Sequence, residues 1–168
     1  KEKFKYLVPY FDELEDVVLI NSDFRTFMNS NEVECIVSPA NSYGIMDGGY
    51  DLAIINYFGR GVQDKVQEHI IKNYYGEQPV GTSFLININE SKKLIHTPTM
   101  RTPDRIKDET IIYQCMRTTL LTAKQNNIKS ILIPMFGGLT GGIHPNIIAR
   151  MMRCAYDQVN SPQEEPNW

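Results

Sequence analysis

The chain has 168 residues, 42% hydrophobic and 22% charged, with a net charge of −3. That size fits one α/β domain with an ordinary core, and the lack of any lysine- or arginine-rich run argues against a nucleic-acid binder, which needs a basic face to neutralise phosphates. Three widely spaced cysteines, Cys35, Cys115 and Cys154, form no C-x-x-C pair, which argues against a disulfide framework or zinc site and for a reducing, intracellular setting, cytoplasmic or nuclear. No apolar run is long enough to span a bilayer and no signal peptide is visible, so no membrane partner is expected. The first residue is Lys1 rather than methionine, which reads as an excised domain, and a monomer is the expected state.

In chain order, Phe4 to Val8 and Val17 to Ile20 are β-rich runs and read as the first two strands. Cys35 to Ser38 reads as a buried third strand. Asp51 to Tyr75 reads as helix, interrupted at Gly59-Arg60-Gly61. Ser83 to Ile88 and Leu94 to Thr97 read as a hairpin across the polar Asn89 to Lys92. Thr102-Pro103-Asp104 signals a helix start. That helix is expected to reach about Asn126 with Ile112, Cys115, Met116, Thr119 and Ala123 on its inner face. Ile131 to Pro134 reads as another buried strand. Pro145 opens a last helix with Ile148, Met152, Ala155 and Val159 on one face. Residues 1–160 are expected to form one domain, and 161–168, rich in Pro and Glu, a disordered tail. Strands alternating with helices imply a largely parallel sheet covered on both sides.

Two stretches carry the chemistry. After the Cys35 strand come Pro39-Ala40-Asn41, glycines at 44, 48 and 49, and Asp51 at the opening of an apolar helix. After the Ile131 strand comes Met135-Phe136-Gly137-Gly138-Leu139-Thr140-Gly141-Gly142, then a helix. Glycine between strand and helix lets backbone N–H groups approach a ligand, and a helix start adds partial positive charge. Both turns lie at the carboxyl ends of strands, where α/β sheets bind ligands. Together they suggest one ligand with more than one phosphate. No G-x-x-x-x-G-K-[ST] occurs and no G-x-G-x-x-G follows a strand, which disfavours kinases and dinucleotide dehydrogenases. The three histidines, His69, His96 and His144, lack metal-site spacing, so no metal or cofactor is expected.

Asn41, Gly48, Gly49, Asp51 and Gly59, in that order, resemble the first binding loop of the macrodomains, modules that bind ADP-ribose. Pro134, Gly137-Gly138-Leu139-Thr140-Gly141 and Pro145 resemble the family's second loop. Ser22-Asp23-Phe24 is similar to its Gly-Asp-Ile, and Leu94-Ile95-His96-Thr97 to its I-H-T strand. The resemblance covers about residues 15–160 and implies a three-layer α/β/α sandwich around a mixed, mostly parallel sheet. It departs from the pattern at Ser22, Arg25 and Asp47, in one extra residue in the second loop, and in the missing last strand. These departures suggest a divergent branch, similar to phage tail-assembly-related macrodomains.

The resemblance implies that Asp23 accepts from the adenine amine and that Asn41 meets a ribose. It implies that backbone amides at Gly48, Gly49, Gly138 and Gly141 surround the diphosphate and that Gly137, Leu139 and Thr140 also line the ligand site. Residue chemistry alone leaves Asp23 as a turn cap, Asn41 as a loop brace and the glycines as tight turns. Phe24 and Phe136 are candidates for the adenine and ribose walls, or for the core. Asp51 reads as a helix N-terminal carboxylate, or, with Asn41, as the catalytic pair of hydrolytic members, where the matching Asp acts on the attacking water. Asp47 reads as solvated, Cys35 as core, His96 as packing, and Tyr156 as packing or as an approach to the adenine edge. His144 is placed within reach of a phosphate. Thr140 stands where other members carry an aromatic. The expected activity is therefore hydrolysis of ADP-ribose conjugates, with a non-catalytic reader of ADP-ribose or ADP-ribosylated protein as the alternative.

Overall fold

The computed structural model describes residues 2–166. Its strands are β1 (Cys35–Ser38), β2 (Phe84–Asn87), β3 (Lys93–His96) and β4 (Ile131–Leu132), in the spatial order β2-β3-β1-β4. β1 runs parallel to β3 and β4, with Cys35 opposite both Lys93 and Ile131. β2 and β3 pair as the expected antiparallel hairpin.

Successive side chains of a strand point to opposite faces. Ile36 and Leu94 therefore enter one core, while Cys35, Val37 and Ile95 enter another. The first core is closed by α2 (Phe24–Ser30), α3 (Gly49–Phe58) and α4 (Gly61–Tyr74). The second is closed by α5 (Thr110–Gln125) and α6 (Pro145–Asn160), with the short α1 (Val8–Phe11) against α6. The result is a three-layer α/β/α sandwich about a mixed, mostly parallel sheet. The buried stripe of α5 is Ile112, Cys115, Met116, Thr119 and Ala123, the face its helical spacing predicts. On α6 the expected Ile148, Met152, Ala155 and Val159 are buried, joined by Ala149. Between α3 and α4 the chain breaks at Gly59, whose φ of 95° a side chain rarely adopts.

Three expected elements differ. Phe4 to Val8 is no strand: Phe4–Tyr6 is a 3-10 turn leading into α1. Pro9 has no N–H for a ladder and suits a first helical turn. Val17 to Ile20 carries no strand either, and Val18 is 80% exposed. β4 pairs with β1 on one side only, and Val17 to Ile20 faces the same cleft as β4 instead of forming a ladder with it. Finally, α5 begins at Thr110, not near Pro103. Asp108 Oδ1 accepts from Thr110 N (3.0 Å) and Oγ1 (2.6 Å) at that start, and the irregular residues before it brace a loop described below. Residues 161–166 carry neither helix nor strand; the last two residues of the expected tail lie outside the described residues.

Candidate functional site

The loops that follow β1 and β4 open on one cleft of about 1180 Å³. In the first loop the Asn41 side chain braces its own turn. Its Oδ1 accepts from Tyr43 N (3.1 Å) and Ile45 N (3.2 Å), and its Nδ2 donates to Ile45 O (2.7 Å). Gln63 of α4 accepts from Met46 N at 2.8 Å. At Gly44, φ is 68° and an added Cβ would lie 2.8 Å from Val66 and 2.9 Å from Ile70, so only glycine fits. Gly48 is different. Its φ of −150° suits any residue and an added Cβ meets nothing within 4 Å, so neither conformation nor packing calls for glycine there. Among the described residues, nothing accepts from the N–H groups of Asp47, Gly48 and Gly49, which run into the first turn of α3.

Apolar packing holds the second loop. An added Cβ at Gly137, where φ is 71°, would lie 2.8 Å from Ile112 and 2.9 Å from Ile106; at Gly141 one would lie 2.7 Å from Ile106. Ile106 N donates to Gly141 O (3.0 Å) and Ile143 N to Gly137 O (3.2 Å). Lys3 Nζ donates to Gly138 O. Among the described residues the N–H groups of Gly137 to Gly141 have no acceptor. The loops meet where Leu139 Cδ1 lies 3.3 Å from an added Cβ on Gly49. Two stretches of unspent backbone donors thus border one cleft, beside a helix N-terminus, an arrangement suited to a polyanion.

Asp51 sits in the first turn of α3, 8% exposed, and lines the cleft. Ser38 Oγ donates to its Oδ1 at 2.6 Å. Burial pushes the Asp51 carboxyl up to about 7, opposed by the Ser38 hydrogen bond and reinforced by the charge of Asp47. A carboxyl at that value exchanges a proton at neutral pH, as a general base or acid must. Asp47 itself is exposed, as expected.

Of the residues singled out from sequence, Asp23, Phe24, Asn41 and Asp51 line this cleft. So do Gly48 and Gly49 of the first loop, and Gly137 to Gly141 of the second, including Leu139 and Thr140. Phe136 does not. It is fully buried in the second core, among Ile112, Ile148 and their neighbours, so of its two readings, ribose wall or core, the core is the one found. Asp23 caps α2, accepting from Thr26 N (2.9 Å) and Thr26 Oγ1 (2.7 Å). Those two bonds, the backbone one first, hold its carboxyl below the usual range. Phe24 lines the cleft while packing edge-on against Tyr50, Tyr57 and Phe58. His144 caps α6, accepting from Asn146 N at 3.2 Å, and stands outside the cleft lining. His96 is sealed in the core, its Nδ1 2.6 Å from Gln78 Oε1. Gln78 Nε2 donates to two backbone carbonyls, so Oε1 accepts and Nδ1 of His96 carries the proton. Among the described residues no three His, Cys, Asp or Glu side chains gather as metal ligands. Sequence reasoning missed Ser38, Ile106 and Lys3. A polar residue ending an apolar strand was a usable signal for Ser38; Lys3 gave none.

Fold and cleft define an α/β/α module with paired glycine-bearing loops at the ends of parallel strands. A family model described as the Macro domain matches residues 37–152, well over half of the chain, and the protein belongs to the macrodomain family. A curated relative, an uncharacterized protein of Aquifex aeolicus (strain VF5), is 30% identical over 123 residues, 72% of this chain and 71% of its own. Among solved structures, the Oceanobacillus iheyensis macrodomain with MES bound superposes with a TM-score of 0.66 at 24% identity, over 75% of this chain and 69% of that one. A variant of the same protein with ADPR gives 0.66 at 22%, over 76% and 71%. The macrodomain of Mycobacterium tuberculosis DarG gives 0.66 at 19%, over 77% and 84%. These likenesses establish the fold.

Proposed function

We propose that this protein binds ADP-ribose in the cleft and hydrolyses ADP-ribose conjugates, either mono-ADP-ribosyl protein or derivatives substituted on the distal ribose. The observation that carries the reading is the pair of unspent amide stretches, Asp47 to Gly49 and Gly137 to Gly141, bordering one cleft beside Asp51. In this pose the amides surround the diphosphate and Asp23, whose oxygens keep acceptor capacity beyond Thr26, takes the adenine amine. Asp51 lies toward the distal ribose, its carboxyl near 7 fitted to draw a proton from the attacking water. Little more than the placement of water and substrate is then needed for hydrolysis at the ribose anomeric carbon. The comparisons add support. One solved relative carries ADPR, and variants of that protein are altered at an Asn, a Gly and an Asp spaced seven and three residues apart. Asn41, Gly48 and Asp51 have the same spacing.

A reader role without turnover is favoured by one observation. Both polar atoms of the Asn41 side chain are committed to its own loop, which leaves a weaker hold on a water or ribose hydroxyl. Residues 1–160 are taken as one domain acting as an intracellular monomer, a setting that suits the free thiols of Cys35, Cys115 and Cys154.

Calorimetric titration with ADP-ribose, ADP and AMP tests the binding. Micromolar or tighter ADP-ribose, weak AMP and a clear loss in Asp23→Ala are expected; no ADP-ribose binding would end the reading. Release of ADP-ribose from mono-ADP-ribosylated protein, lost in Asp51→Asn, distinguishes hydrolase from reader.

A further inference from the structure

Ser38 is the last residue of β1 and is fully buried. Its backbone is fixed by the sheet: it sits opposite His96, and its carbonyl accepts from Thr97 N at 3.0 Å. Its hydroxyl donates to Asp51 Oδ1 at 2.6 Å, and the residue is absent from the cleft lining. Asp51 Oδ2 has no hydrogen-bond partner among the described residues and is not sealed from solvent. One carboxylate oxygen is thus tied to the sheet and the other is left to the cleft.

We propose that Ser38 is the positioning residue for Asp51, tying Oδ1 to the end of β1 so that Oδ2 is the oxygen presented to the bound ligand. The proposal rests on the reading of the cleft as the ADP-ribose site with Asp51 at its working end. The groups around Asp51 can be named. Ser38 reaches it from β1. Asp47 acts on it from the first loop and Tyr50 adjoins it on α3, its phenol pushed up by burial and by the charge of Asp51. The neighbouring part of the second loop offers the apolar Leu139. Ser38 is the hydrogen-bond donor in this set, and a donor to the charged form favours the anion. Without it, burial and Asp47 act unopposed, and the carboxyl stays protonated to higher pH. Because Ser38 works through Asp51, its loss alters protonation and aim rather than removing a ligand contact.

Asp51 can be followed by carbon-13 carboxyl NMR in the unaltered protein, Ser38→Ala and Ser38→Thr, while ADP-ribose affinity is measured calorimetrically across pH 5 to 9. The expected result is an upward shift of about one pH unit in the Asp51 midpoint in Ser38→Ala. The midpoint in the pH dependence of affinity should move with it, and Ser38→Thr, which keeps the hydroxyl, should restore both. An Asp51 midpoint unchanged in Ser38→Ala overturns the proposal and leaves the binding reading intact. A shift in the spectrum with no shift in affinity also overturns it, because Asp51 then does not meet the ligand through Ser38. If Ser38→Ala fails to fold, Ser38→Cys, whose thiol is a weaker donor, serves in its place; its Asp51 and affinity midpoints should both move up, and midpoints unchanged from the unaltered protein overturn the proposal. Absence of ADP-ribose binding by the unaltered protein instead strikes the reading of the cleft, while the spectra alone still report whether Ser38 governs Asp51.

Discussion

The two glycine-bearing loops border one cleft, yet they are held by opposite chemistries. The first is braced by polar side chains: Asn41 ties three of its backbone groups and Gln63 a fourth. The second is wedged by apolar ones, with Ile106 and Ile112 filling the space that glycine leaves at Gly137 and Gly141. Both solutions leave a stretch of N–H groups unspent, and both lead into a helix. The difference teaches that the glycines are of two kinds. Gly44, Gly137 and Gly141 are glycine because something else occupies the space, whereas Gly48 is glycine with empty space beside it.

The sharpest break is Gly137→Ala, which forces a side chain into left-handed backbone and against two isoleucines. A loss of about 2–4 kcal/mol is expected from strain and overpacking together, read as a lower denaturant midpoint. Asn41→Ala attacks the other loop and is expected to cost about 1–3 kcal/mol, because it strips partners from the backbone of a half-buried turn. Its loss in ADP-ribose affinity should exceed that, since the first loop loses its shape.

Asp51→Asn is expected to act in the opposite direction. The Asp51 carboxyl is raised from an ordinary carboxylate value to about 7, so the fold holds its proton more tightly than the unfolded chain does. Its contribution is therefore fully present below about pH 4 and is lost as the pH rises through 7. The variant should match the parent at pH 4 and exceed it by about 3–4 kcal/mol at pH 8, by thermal melts at the two pH values, and, on the proposed activity, lose turnover. Gly48→Ala sharpens the comparison from the quiet side. Stability should change by less than about 0.5 kcal/mol, with any effect confined to ADP-ribose affinity. A large loss of stability there would mean that the two kinds of glycine are one.

Much of this was legible in the chain. The apolar runs at 35–38 and 131–134, of which 131–132 forms the strand, and the hairpin were visible as short β-rich runs, and the inner faces of α5 and α6 as helical periodicity, because burial leaves that imprint. Glycine at the ends of two strands pointed to the cleft. What periodicity could not reveal depended on distant partners. Val17 to Ile20 has strand composition, but composition does not say whether a neighbouring edge comes close enough to pair. Thr102-Pro103-Asp104 has the residues of a helix start, yet the next turn is irregular because Ile106 is spent on Gly141. Phe136 reads from sequence equally as a wall of the site or as core, and only its fully buried place in the second core decides it. Ser38 showed only as a polar residue closing an apolar strand; its meaning comes from Asp51, thirteen residues away along the chain.

The meeting of Leu139 with Gly49 sets a tempo as well as a shape. Leu139 is 67% exposed, yet its tip rests against the opposite loop. If a diphosphate seats between the loops as proposed, this one branched side chain is expected to lift on the way in and again on the way out. Association and release should therefore share a common barrier, one that equilibrium titration does not register. Leu139→Ala should speed both steps in stopped-flow measurements and leave their ratio nearly unchanged, making this residue a clutch on exchange rather than a source of grip.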